Sequence, residues 1–229
     1  MPAAQAMRSA WRQWRWPGRA GLIATVTVLG VALLGPVVAP YGLATPIGAP
    51  FAPPGDGSPL GTDFLGRDVL SRLLWGGRSI VLIAVAAMVL AYASGMALGL
   101  IAGLSRSGRD GLLLRPVDLL LALPPFLVLA VLATGGGRGV TVLILAGAFA
   151  NLPFITRYTR AATLDVSVKG YVEAAVMRGE GKVWVAAREV LPNIAATLLA
   201  DAGVRFIGAV YLVASANFLG LGLQPPTGP

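Results

Sequence analysis

Asp201 and Arg205 stand four residues apart, acid first, inside a run that is otherwise apolar from Ile194 to Leu219. On a helix that spacing puts both on one face, in the order that favours pairing. Counted from Ile194 they lie roughly 10 and 16 Å into the run. A membrane span here would carry Arg205 near its midplane, where a lone charge costs about 2.5–3.5 kcal/mol. Two readings are open: a self-neutralised pair turned toward a bundle interior, or a polar lining for a solute path that would also draw on Asn217. Ser215 and Asn217 equally suit hydrogen bonds between packed helices. Other chemistry has little to work with. The chain has no cysteine and no histidine, which removes disulfides, thiol nucleophiles, His-based metal sites and Ser-His or Cys-His pairs. Asp/Glu metal binding stays open in principle, but no carboxylates cluster. Gly135-Gly136-Gly137-Arg138-Gly139 lacks the Lys-Ser/Thr of a phosphate loop and reads as a turn. No site for ATP, a metal or another cofactor is expected in this chain, and it is not expected to be an enzyme.

The second stretch with functional potential is Tyr171 to Pro192, a charged island between apolar runs. Val168, Val172, Ala175, Val176 and Gly179 fall on one helical face. Glu173, Arg178 and Glu180 lie off it. Ala174 and Ala175 keep the surface low, so that a foreign backbone could approach closely. The pattern predicts two short helices joined at Gly179 and Gly181, because glycine permits a sharp reversal. Pro192 suits the first turn of the following helix, where a missing N–H costs little. Such a piece is suited to being gripped from outside; an ordinary connecting loop is the bland alternative.

The elements that must position these residues are membrane spans. The chain is 56% hydrophobic and 12% charged, with mean hydropathy +0.76, whereas a soluble domain carries roughly a quarter charged residues. An all-α, polytopic membrane bundle of about five helices is expected. Residues 1–20 are a basic N-terminus in which Arg8, Arg12, Arg15 and Arg19 interleave with Trp11, Trp14 and Trp16. Residues 21–39 are a first span, longer than the apolar core of a signal peptide and anchored by tryptophans. Residues 40–79 form a loop. Its proline-rich part, Pro40 to Pro59, cannot be helix or central strand. Its second part, Gly61 to Ser79, is predicted as a short interfacial helix capped by Thr62 or Asp63. Phe64, Leu65, Val69, Leu70, Leu73 and Leu74 would make its apolar face, opposite Arg67, Asp68, Ser71 and Arg72. Residues 80–229 are the core. Span two, Ile80 to Ala102, carries no charge and covers roughly 34 Å, with Gly95 and Gly99 offering a close-packing face. Span three, about Val117 to Thr134, is interrupted at Pro124-Pro125. Span four, about Val140 to Ile155, contains Asn151 and Pro153. Broken helices suit either a cavity lining or a kinked structural helix. A long polar loop, 157–193, precedes span five.

Charge then orients the chain. Arg8, Arg12, Arg15, Arg19, Arg106, Arg109, Arg115, Arg157, Arg160, Lys169, Arg178, Lys182 and Arg188 fall on one side of this topology. Arg67, Arg72, Arg78 and Arg138 fall on the other. Lys and Arg accumulate on cytoplasmic loops, so the N-terminus and the 157–193 loop are expected in the cytoplasm. The same bias accounts for the net charge of +8 without nucleic acid.

Glu173-Ala174-Ala175, Gly179 and Leu191-Pro192 resemble the EAA…G…LP loop of permease subunits of ABC-type importers, with Glu189 where that family usually has an aliphatic residue. Gly61-Thr62-Asp63, Gly66-Arg67-Asp68-Val69-Leu70-Ser71-Arg72 and Phe218 to Pro226 resemble more specifically the dipeptide/oligopeptide/nickel branch. Asp118, three after Arg115, matches an Arg-x-x-Asp of that family. The resemblance covers nearly all of the chain. It implies a type I importer permease in the cell inner membrane, with lipid around it and an alternating-access mechanism. Its coupling loop would comprise Tyr171, Glu173, Ala174, Ala175, Arg178, Gly179, Gly181, Leu191 and Pro192, held in the cleft of a cytoplasmic ATPase. It implies as partners a homologous second permease, two cytoplasmic ABC ATPases that use the ATP, and an extracytoplasmic solute-binding protein. Peptides, nickel chelates or similar small solutes would be carried. The family continues past Pro226 into one more span, so this chain is expected to stop one helix short. Arg205 and Val213 depart from the family, which tends to a small and an acidic residue there. The rival readings are a secondary transporter or channel working without ATP, and a non-transporting assembly partner.

Overall fold

The computed structural model describes residues 16–55, 57–105, 110–137 and 139–222. Arg8, Arg12, Arg15, Trp11, Trp14, Arg106, Arg109, Arg138 and the segment from Leu223 to Pro229 lie outside the described residues. The fold is all-α. In chain order the helices are α1 (Trp16–Val38), α2 (Val69–Gly103), α3 (Asp110–Leu121), α4 (Pro125–Gly136), α5 (Val140–Ser167), α6 (Gly170–Met177), α7 (Lys182–Val185) and α8 (Leu191–Phe218), with a π-helical segment Ala186–Val190 joining the last two. Among the described residues β-structure is limited to isolated bridges, such as Pro46 with Arg67. Four helical stretches are long and apolar enough to cross a membrane: Gly18–Val38, Val69–Gly103, Val140–Ser167 and Lys182–Phe218. The pair Leu114–Leu121 and Pro125–Gly136, bent by 98°, makes a fifth if it counts as one span.

The described chain divides into two compact units, one up to Val81 and the other from Leu82 onward. In the first, α1 and the start of α2 approach closely at a glycine of each helix, Gly35 against Leu74 and Gly77 against Ala32: a Cβ on Gly77 would lie 2.9 Å from the Ala32 Cα. The expected interfacial helix is absent as a separate piece. Helix begins only at Val69 and runs unbroken to Gly103. Asp68 is the reason, since its Oδ2 accepts the Ser71 N–H at 2.8 Å and so caps the first turn. Asp63 instead closes a turn upstream, accepting the N–H groups of Leu65 and Arg67 at 2.7 and 3.0 Å.

The polar face assigned to Arg67, Asp68, Ser71 and Arg72 is likewise corrected. Arg67 is 4% exposed, and Asp68 and Ser71 are buried with it. Burial is tolerated because the charges are paired and the acceptors filled. Asp63 Oδ2 meets Arg67 Nε at 2.8 Å and Arg72 Nη1 at 2.6 Å. Asp68 accepts from the hydroxyls of Ser58 and Ser71, and Thr62 bridges Ala49 and Ala52. A proline-rich segment without regular structure is thereby held as a cap. Burial alone would raise the Asp63 pKa, but the Arg67 and Leu65 N–H groups and the Arg67 guanidinium outweigh it and hold the carboxyl at about 2. Asp68 is also lowered, burial again being outweighed by hydrogen bonds from Ser71 and Ser58. Because the folded value lies below the unfolded 3.8, this stabilisation is complete above that pH and is lost as pH falls toward about 2. Thermal unfolding in nanodiscs should therefore show wild type losing stability relative to Asp63→Asn across that window. Parallel pH profiles for the two proteins would contradict this.

In the second unit α5 is the central helix, packed against α3, α4 and α8 and against α2. The α2 contact runs along Gly95, Gly99 and Gly103, the first two expected from sequence. A Cβ on Gly95 would lie 2.9 Å from Ile155 Cγ2. On Gly99 or Gly103 it would lie 2.6 Å from the Cβ of Thr159 or Thr163. Backbone meets side chain there with no room for a methyl group.

Candidate functional site

Span three breaks where the prolines predict. α3 stops at Leu121, Pro124 is extended (φ −58°, ψ 134°), and α4 starts at Pro125. Proline at the first helical position is well placed, since its missing N–H would find no intrahelical partner there. The Arg-x-x-Asp match of Arg115 and Asp118 is not an ion pair among the described residues. Asp118 instead binds Arg157 of α5, at 2.9 and 3.0 Å, tying α3 to α5. The expected end of span four at Ile155 is also corrected. α5 passes through the buried Pro153 and continues to Ser167, so Arg157 and Arg160 lie on a helix. The polar loop is correspondingly shorter than 157–193.

That leaves a compact helical turn. Glu173 sits in the first turn of α6, where a carboxylate is favoured by the helix dipole. At the other end Gly179 takes φ +83°, with its N–H on Val176 O at 3.0 Å and the Glu180 N–H on Ala175 O at 3.2 Å. These are the paired bonds of a left-handed C-terminal stop, which glycine accepts without steric cost. Gly181 has ordinary extended angles (φ −69°, ψ 152°), so the reversal depends on Gly179 alone. The second helix is not short. It runs from Lys182 through α8 to Phe218. The π-helical segment lies just upstream of Pro192, whose ring displaces the carbonyl of residue 188 and supplies no N–H. The Leu191 N–H reaches back to Ala186 O. Asn193 Nδ2 donates to the Glu189 carbonyl at 2.6 Å.

The stripe expected on α6 is only partly a stripe. Val172 and Ala175 are buried, in one cluster with Val166, Val185, Val190, Ile194 and Leu198. Val168 precedes the helix and is exposed, as is Val176. Ala175 at 0% exposure faces its own chain, not a visitor; Ala174 is half-buried and Leu191 packs against the cluster. The outward surface is Tyr171, Glu173, Arg178, Gly179, Gly181 and Pro192, with Met177 at 81% and Val183 at 84% exposure. A cleft of about 400 Å³ lies beside it, lined by Glu173, Glu180, Lys182, Val172 and Val176 among others. Charged rim and apolar tips stand on a floor tied to α5 and α8. Sequence reasoning missed Met177 and Val183, although each is a large apolar residue off the buried face.

The second candidate group is half-buried. Arg205 Nε meets Asp201 Oδ2 at 2.6 Å, the side chains being 19% and 14% exposed. Two partners from other helices join them. Tyr92 of α2 donates to the same Asp201 oxygen at 2.7 Å, and Arg205 lies over the Phe154 ring of α5, 5.3 Å from its centroid. Asn217 is not part of this group, standing about 18 Å further along α8 by helical rise. Among the described residues no group of three or more acidic, His or Cys side chains could hold a metal.

Comparison with known proteins agrees with this architecture. A family model described as "Binding-protein-dependent transport system inner membrane component" matches residues 95–228. The di/tripeptide transport system permease protein DppC of Pseudomonas aeruginosa is 40% identical over 168 residues, 73% of this chain and 55% of that protein. The dipeptide transport system permease proteins DppC of Escherichia coli K12 and of Haemophilus influenzae are 39% and 32% identical over 214 residues. In both cases this is 90% of the chain, and 71% and 72% of those proteins. The chain thus spans about half the length of the first of these relatives. With more than half of its residues matched by the family model, and with that match covering α5, the helical turn and the ion pair, the chain belongs to the family of inner membrane components of binding-protein-dependent transport systems.

Proposed function

We propose that this chain is a permease subunit of an ATP-driven importer of short peptides, set in the inner membrane with its N-terminus and its helical turn in the cytoplasm. The observation that carries the reading is the turn itself. Met177 and Val183 are almost fully exposed while Val172 and Ala175 beneath them are sealed into α5 and α8. A surface built this way transmits a push rather than absorbing it. One of two cytoplasmic ATPases holds the turn in its cleft, closure of the ATPase pair on ATP moves it, and α5 and α8 carry the motion into the membrane. Hydrolysis reverses it. The assembly also includes a homologous permease and an extracytoplasmic binding protein that delivers the solute. The peptide names of the relatives support peptides over the nickel chelates that the wider branch also carries. Asp201 and Arg205 lie on the solute path, and Asn217 lies nearer its end. In proteoliposomes holding the assembled transporter, dipeptide uptake should require ATP and both ATPases. Uptake that persists without them would contradict the proposal and favour a secondary transporter.

A further inference from the structure

Phe154 is shared by two features that the import reading leaves unconnected. On one side its ring carries the Arg205 guanidinium, 5.3 Å from the centroid. On the other it helps wall a cleft of about 220 Å³ at the proline break, together with Leu123, Pro124, Pro125 and Phe149. Arg205 is aimed by its surroundings. Nε is committed to Asp201, and Asp201 is itself fixed from α2 by Tyr92. The Tyr92 hydroxyl also meets the Arg205 guanidinium, and the pair keeps some exposure. A stacked, partly exposed guanidinium matches a carboxylate. An apolar cleft beside a few fixed polar groups is how small-molecule sites are generally built. The pair is also neutral as a whole. A lone anion would leave it with excess negative charge, whereas a zwitterion brings its own cation.

We propose that Arg205, aimed by Asp201, Tyr92 and Phe154, is a subsite for the C-terminal carboxylate of a short zwitterionic peptide. The apolar side chain of the peptide's last residue fills the cleft between Phe149, Phe154 and the Pro124-Pro125 break. This rests on the import reading and narrows it to a substrate feature.

The test compares uptake of alanyl-phenylalanine and its C-terminal amide by the assembled transporter in proteoliposomes, with one and the same binding protein throughout. The Asp201→Asn/Arg205→Gln double variant removes both charges together, so none is stranded. Its ratio of free-acid to amide uptake should fall at least about tenfold, the size of a lost charge-assisted hydrogen bond, while amide uptake persists. An unchanged ratio would overturn the subsite and leave the importer standing. No ATP-driven uptake of either peptide by wild type would overturn both. A second measurement needs no variant. A dipeptide ending in photoreactive benzoylphenylalanine should label the segment from Phe149 to Phe154 in wild type, and free acid should compete better than amide. Labelling elsewhere, or competition by anionic phospholipid alone, would overturn the peptide subsite.

Discussion

Glu173→Lys is expected to abolish most ATP-driven uptake while the protein still inserts and assembles its bundle. Glu173 is exposed, on the outward side of α6, and its side chain takes no part in the buried cluster of Val172 and Ala175. Reversing its charge costs the fold little, since surface substitutions of this kind usually fall within about 0.5 kcal/mol. At an interface the same reversal meets a partner selected for the opposite sign. Loss of such a contact costs about 2–5 kcal/mol, at least about tenfold in coupling. Uptake should fall accordingly, and the ATPases should turn over without transport. Wild-type uptake by the variant would remove Glu173 from the mechanism.

Gly99→Leu acts at the opposite level and should prevent folding outright. A single Cβ at Gly99 already lies 2.6 Å from Thr159 Cβ and 2.7 Å from the Thr156 carbonyl oxygen. One of those neighbours is backbone and cannot swing aside. Relieving the clash means separating α2 from α5 along the whole glycine stripe, well beyond the ~1–3 kcal/mol of ordinary overpacking. Protease resistance in membranes should be lost for Gly99→Leu. It should survive at Gly21, where a Cβ meets nothing within 4 Å. A Gly99→Leu protein as resistant as wild type would refute the packing described for this helix pair.

The parts of the fold readable from sequence are those that short-range rules decide. The proline break of span three, the close-packing role of Gly95 and Gly99, and the Asp201–Arg205 pair depend on residues within a turn or two of one another. The parts that short-range rules do not reach depend on partners far away in the chain. Asp118 has a basic residue three positions before it, yet it binds Arg157, 39 residues on. Asp201 owes its orientation to Tyr92, 109 residues earlier. The Arg67–Asp68–Ser71 group reads as solvated because the polar face of a short amphipathic helix usually is. Its burial becomes affordable only when Asp63, Ser58 and Tyr41 arrive from the preceding loop. The overlong polar loop had a different origin. The apolar run stops just before Arg157 and Arg160, whereas helical hydrogen bonding continues past them to Ser167. Hydropathy finds where apolar runs stop, not where helices do.

The claim on which all of this depends is that the α6–α7 turn is the surface held by a nucleotide-hydrolysing partner. The chain has no cysteine of its own, so a single Met177→Cys provides a clean probe at one of the two exposed tips. In inverted membrane vesicles it should crosslink, over about one side-chain length, to a cysteine placed in the cleft of the ATPase subunit, and the yield should change when ATP is added. Labelling of that cysteine by an impermeant reagent from the outer face, with no crosslink to the ATPase, would contradict the account.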